Sequence, residues 1–114
     1  MPARPYVPDR GDAIWIDTSP QADHEEGGRR PALVLTPAAY NGKTGLAVLC
    51  PITSQRKGYP FEVPLPAGSG PEGVVLADQV RNLDWRARNA SLWGRLDAAL
   101  LEEVLARLKA LLGS

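Results

Sequence analysis

The apolar pattern of this 114-residue chain changes period once, near Asp97, and that change sets the architecture. Downstream, Leu100, Leu101, Val104, Leu105, Leu108, Leu111 and Leu112 recur at helical spacing, with Asp97 as the expected N-cap and Gly113 as the stop. Glu102 and Glu103 come early and Arg107 and Lys109 late, which complements the helix dipole; Glu103 and Arg107 are also one turn apart. Upstream, the apolar runs are short and separated by polar, Gly- and Pro-containing segments. Several short strands followed by one amphipathic helix over 97–112 predict a mainly β chain, a small barrel with the helix on its side.

The strand-like runs are 12–17, 32–36, 45–53, 61–65 and 74–77, with further short strands expected around Val80 and Trp93-Gly94-Arg95. Pro64 marks its run as an edge. Asn41-Gly42 signals a hairpin connection between the second and third runs. Residues 18–29 lack periodicity and end in Gly27-Gly28, so they read as a mobile loop; loops of that length are commonly functional or disordered. Trp15, Trp93 and Cys50 read as core.

The size fits one domain, 1–114, able to bury a core without staples. The single Cys50 allows no internal disulfide, no run reaches membrane-spanning length and no signal core follows Met1. A cytoplasmic protein with no membrane association is expected. The net charge is zero, which disfavours a generic nucleic-acid binder. The charge is nevertheless uneven. Residues 1–28 carry two arginines against six acids, and residues 29–95 carry nine cations against four acids. A basic middle segment allows an anionic partner.

Two strand ends carry the chemistry. Arg30 precedes the rigid Pro31 at the entrance of the second run, and Thr53-Ser54-Gln55 close the third, with Lys57-Gly58 just beyond. A planar cation and a hydroxyl at paired strand ends suit a phosphate. Arg30 taken alone reads rather as an ion-pair partner of an acid such as Asp17 or Asp12. Asp78-Gln79 either braces a turn or reads a base edge. Arg81, Arg86 and Arg88 around Trp85 fit stacking with phosphate contact, or a Trp packed at a subunit interface under Arg stems. The chain has no zinc-type ligand spacing, no phosphate-binding Gly-rich loop and no nucleophile elbow. His24 with Asp23, Glu25 and Glu26 reads as solvated, so no metal and no cofactor is expected.

The order of segments resembles the MazF/PemK family of toxin endoribonucleases, its MazF branch above all. The resemblance rests on 6–9 (YVPD), 11–17 (GDAIWID), the Gly-x-Arg-Pro element at 28–31, Tyr40-Asn41, 43–45 (KTG), 51–55 (PITSQ), 57–63 (KGYPFEV), 76–80 (LADQV) and 85–88 (WRAR). It spans roughly residues 6–112.

That resemblance implies the SH3-like barrel of the MazF/CcdB/Kid toxin fold, as a homodimer, cleaving single-stranded RNA (mRNA) at short sequences without a metal. It implies an acidic cognate antitoxin that blocks the RNA groove. The catalytic positions of the family fall on Arg30 and Thr53, with Glu25 in the loop the best candidate for a base. RNA contacts are expected at Arg29, Ser54, Gln55, Lys57, Asp78, Gln79 and Arg88. Arg29 and Ile52 stand where relatives vary. Leu76 stands where another branch has a catalytic Arg, so that branch's full catalytic set does not transfer. The competing function is a non-enzymatic toxin of the same fold that poisons a protein such as DNA gyrase.

Overall fold

The computed structural model describes residues 5–18, 28–68 and 70–113. Seven strands and two helices follow one another as β1 (Asp12–Asp17), β2 (Arg29–Val34), α1 (Ala38–Thr44), β3 (Leu46–Thr53), β4 (Glu62–Pro64), β5 (Val74–Leu76), β6 (Arg81–Asp84), β7 (Ser91–Arg95) and α2 (Ala98–Leu111). All pairings are antiparallel. The order is β4-β5-β3-β2-β1-β7, with β6 also on β3. The sheet curves as an SH3-like barrel whose end strands are not hydrogen-bonded to each other.

β3 organises the whole. One edge pairs with β2, and the other is shared between β6 at Leu46–Leu49 and β5 at Ile52–Thr53. Its near-continuous apolar run is explained by burial on both faces. Cys50 and Ile52 join a cluster with Ala13, Leu33, Val63 and Val75, which α2 closes with Leu100 and Val104. Ala47 and Leu49 join a second with Ile14, Ile16, Ala32, Val34 and Trp85. Burial pushes the Cys50 thiol up to about 12, so it stays protonated and serves as packing.

The C-terminal helix forms as its pattern requires. Asp97 accepts the Leu100 N–H at 2.9 Å as the N-cap. Arg107 pairs with Glu103 at 2.7 Å and also donates to the Pro60 carbonyl, tying the helix to the loop before β4. Pro64 sits on an edge strand, as its missing N–H demands. Among the described residues no helix is long and apolar enough to cross a membrane.

Three local expectations need correction. β2 begins at Arg29 and ends at Val34, so its start belongs to the segment read as loop. The strand expected around Val80 begins at Arg81. β2 and β3 do pair antiparallel in succession, but Asn41-Gly42 makes no turn between them: it lies in α1, which runs from Pro37 as N-cap to Gly45 as C-cap. The reason is that Asn41 is buried and its amide is spent elsewhere. Its Nδ2 donates to the Pro8 and Thr36 carbonyls, both at 2.8 Å, and its Oδ1 accepts the Thr36 hydroxyl at 2.7 Å. Its backbone carbonyl accepts the Trp85 indole N–H at 3.0 Å. One side chain therefore joins the N-terminal segment, the β2–α1 turn and, through its backbone, the β6–β7 connection.

Asn41→Ala is expected to cost about 2–4 kcal/mol, because two buried carbonyls and a hydroxyl lose their partner. Urea unfolding should show a lower midpoint at unchanged slope. A midpoint like that of the unsubstituted protein would refute the role of this hub.

Candidate active site

The β2–β3 register aligns Ala32 with Pro51, Leu33 with Cys50 and Val34 with Leu49. Continued by two residues, it sets Arg30 opposite Thr53, on the face of Ala32 and Val34. The two side chains of the phosphate-binding expectation thus stand together at adjoining strand ends.

The neighbouring arginines have opposite fates. Arg29 donates to Asp17 Oδ1, Ser91 Oγ and the Asn89 carbonyl, each at 2.8 Å, and to the Trp15 carbonyl at 3.2 Å. It therefore stitches β2 to β1 and β7. The Arg30 guanidinium is exposed and has no hydrogen-bond or ion-pair partner among the described residues. The ion-pair alternative for Arg30 does not hold, since Asp17 pairs with Arg29 and Asp12 with Arg95. Thr53 Oγ1 accepts the Gln55 N–H at 3.1 Å, which turns the loop and leaves the hydroxyl proton to donate outward.

Arg30 and Thr53 border a groove of about 900 Å³ whose walls are residues 28–31, 52–55 and 70–72 with Trp93. Both also line a smaller cavity of about 250 Å³ that contains Gln79, Arg81 and Arg88. Thr53 borders a third, about 160 Å³, with Gln55, Lys57, Asp78 and Gln79. Ser54, Gln55, Lys57, Asp78 and Gln79 are exposed around Thr53. Arg88 is drawn inward: its Nη1 holds the Asp17 and Thr18 carbonyls at 3.1 and 2.6 Å. Glu25, His24 and most of the 18–29 loop lie outside the described residues. Among the described residues there is no group of three His, Cys, Asp or Glu side chains placed to hold a metal ion.

Two supporting residues escaped the sequence reading. Alternation in β4 places Glu62 on the solvent face, yet it is buried. Its carboxylate accepts the N–H groups of Lys57 and Gly58 at 2.9–3.2 Å, fixing the loop that carries Gln55 and Lys57. Gly73 has φ +116° and packs so closely on Thr53 that a Cβ would meet its carbonyl oxygen at 2.0 Å. A turn glycine shows in sequence; the strand it abuts does not.

The tryptophans divide differently from expectation. Trp85 is buried in the second cluster, its N–H is bonded and Arg86 lies 4.5 Å over its ring, so it is neither a stacking platform nor an exposed interface residue. Trp93, read as core, is 36% exposed and stacks on Trp15 with ring centres 4.3 Å apart.

A forked cation and a hydroxyl at the lip of an open polar groove make this a small β-barrel protein with a cluster of hydrogen-bond donors at one groove. Residues 9–112 match the PemK-like, MazF-like toxins of type II toxin-antitoxin systems, and the chain belongs to that family. It is 48% identical over 108 residues to the endoribonuclease toxin MazF of Escherichia coli K12, covering 95% of this chain and 96% of that one. A chain in the crystal structure of MazE-MazF (Form-II) from Deinococcus radiodurans superposes with a TM-score of 0.87 at 55% identity, covering 96% and 98%. MazF (Form-I) from the same organism gives 0.87 at 59%, covering 96% and 100%.

Gly73→Ala is expected to displace Thr53 and Ser54, lowering stability by about 1–3 kcal/mol and shifting the Thr53 amide resonance. Gly58→Ala, also at positive φ but with nothing within 4 Å, isolates the backbone penalty. Equal effects of the two would contradict steric control of Thr53.

The Asp17 carboxyl is held below the usual carboxylate range by the Asn89 amide first, then by Arg29. A depressed folded value means the contribution is present above the unfolded value and lost as pH falls through the folded one. The β1–β2 end should therefore hold at pH 5 and loosen only below about pH 4. Carboxyl NMR titration should place the Asp17 midpoint below that of an unfolded aspartate, and Arg29→Ala should raise it.

Proposed function

We propose that this protein is an endoribonuclease toxin that cuts single-stranded RNA, mRNA included, at short specific sequences and without a metal ion. The observation that carries the reading is the unpartnered Arg30 guanidinium sharing the lining of one groove with Thr53, at adjoining ends of β2 and β3. The relatives named endoribonucleases support the substrate class, and the MazE-MazF structures support a cognate antitoxin as partner. In this reading the antitoxin is an acidic chain that covers the groove, the toxin is a homodimer, and both act in the cytoplasm. Unopposed, the toxin stops translation and growth.

In the reaction the ribose 2′-OH attacks the adjacent phosphorus as the bond to the 5′ oxygen breaks. The products are a 2′,3′-cyclic phosphate and a 5′-OH. Negative charge grows on the non-bridging oxygens, where Arg30 supplies a fork of N–H donors and Thr53 its hydroxyl proton. Arg30 is too weak an acid to serve as the base in its neutral form. Glu25 takes the 2′-OH proton in this scheme, and the leaving oxygen is protonated from Arg30 or water. Ser54, Gln55, Lys57, Asp78 and Gln79 line the path of the flanking nucleotides. Arg29 and Arg88 act by holding the strand ends that form the groove.

Purified protein should cut a mixed RNA pool in EDTA, leaving new 5′-OH ends. Arg30→Ala and Thr53→Val should each lower the rate by about a hundredfold or more at near-native stability. Cleavage of an RNA carrying 2′-deoxyribose at the scissile position would rule out the chemistry.

A further inference from the structure

The groove contains one large aromatic surface that the proposed reaction does not use. Trp93 is the extra residue of a β-bulge: in the β1–β7 register Ala13 faces Gly94 and Ile14 faces Leu92, which leaves Trp93 without an opposite partner. Bulges re-aim side chains, and this one lays the Trp93 indole over Trp15 at 4.3 Å with 11° between the planes. Trp15 is itself opposite Pro31, the residue next to Arg30. The stacked pair is thus set on rigid strands, with Trp93 two strands, or about 10 Å, from β2. One face of Trp93 is covered by Trp15, its edge approaches Gly70, and the indole remains 36% exposed in the groove that Arg30 and Thr53 border.

We propose that Trp93, backed by Trp15, is a stacking platform for one nucleobase flanking the scissile phosphate. The inference rests on the ribonuclease reading and adds to it a named base-positioning residue. An indole held by a second indole loses no freedom on binding, and every base offers it a π-face. The lining beside it includes Arg29, Arg30, Ser54 and Glu72, so the exposed ring opens onto a charged groove suited to a nucleotide, although the neighbouring Leu92 is also exposed. Stacking fixes the base plane while Arg30 binds the phosphate, so the two contacts set the register of the strand.

The probe is a short RNA spanning a mapped cut site, made uncleavable by 2′-deoxyribose at the scissile position. Trp93→Ala should weaken its binding by about ten- to a hundredfold, and Trp93→Phe should restore most of it. With cleavable RNA at saturation, turnover should change far less than KM. An abasic scan of the probe should find one position whose loss weakens binding to the unsubstituted protein equally but adds nothing in Trp93→Ala. Unchanged binding, or additive losses at every position, overturns the proposal. So does a fall in sedimentation mass of Trp93→Ala, which would assign the indole to a subunit interface, or a loss confined to an acidic protein partner. If the unsubstituted protein cuts RNA and Trp93→Ala matches it, only the platform is refuted. If the unsubstituted protein neither binds nor cuts, the ribonuclease reading falls and takes the platform with it.

Discussion

The β2–β3 pairing is the contact on which the rest depends. Side chains alternate along a strand, so a slip of one residue would turn Arg30 and Thr53 to opposite faces and exchange the residues of both hydrophobic clusters. The register is held because each strand is buried on two sides. Leu33 and Cys50 are committed to one cluster, and Ala32, Val34 and Leu49 to the other. Core packing thus fixes the relative position of two polar side chains that contribute little to it themselves.

Strand ends fray unless something holds them, and this site is built at strand ends. Each end has its own brace. Arg29 ties the start of β2 to Asp17, Asn89 and Ser91, and Arg88 holds the carbonyls at the end of β1. Gly73 brings β5 close against Thr53, and Glu62 fixes the turn after it through backbone N–H groups. The groove is rigid at its base because charged side chains are spent on backbone partners there.

Patterns confined to one element were legible in the sequence. The helical period from Leu100, its Asp97 cap and the edge position of Pro64 follow from local rules, and each appears in the structure. So does the placement of Arg30 and Thr53 at paired strand ends. What could not be read depends on partners outside the element itself. Asn41-Gly42 carries a turn signal that lost to three hydrogen bonds of the Asn41 side chain, two to Thr36 and one to the distant Pro8 carbonyl. Glu62 follows the alternation of a solvent-facing residue but is drawn inward by its neighbours' N–H groups. Trp93 was assigned to the core on hydrophobicity, because a bulge is a feature of two strands and neither sequence shows it alone.

Arg29 and Arg30 are the sharpest case of that limit. They are adjacent, chemically identical and both at the mouth of a strand, yet alternation sends them to opposite faces. On one face Asp17, Ser91 and two carbonyls already wait, so Arg29 is consumed by structure. On the other, Arg30 forms no ion pair or hydrogen bond among the described residues and keeps all its donors. Leaving an exposed guanidinium unpaired costs little, since water satisfies it and surface ion pairs are weak. Burying the same group without a partner would cost far more. The fold therefore keeps a free cation at the groove with little loss of stability, its donors facing water with no protein group among the described residues competing for them.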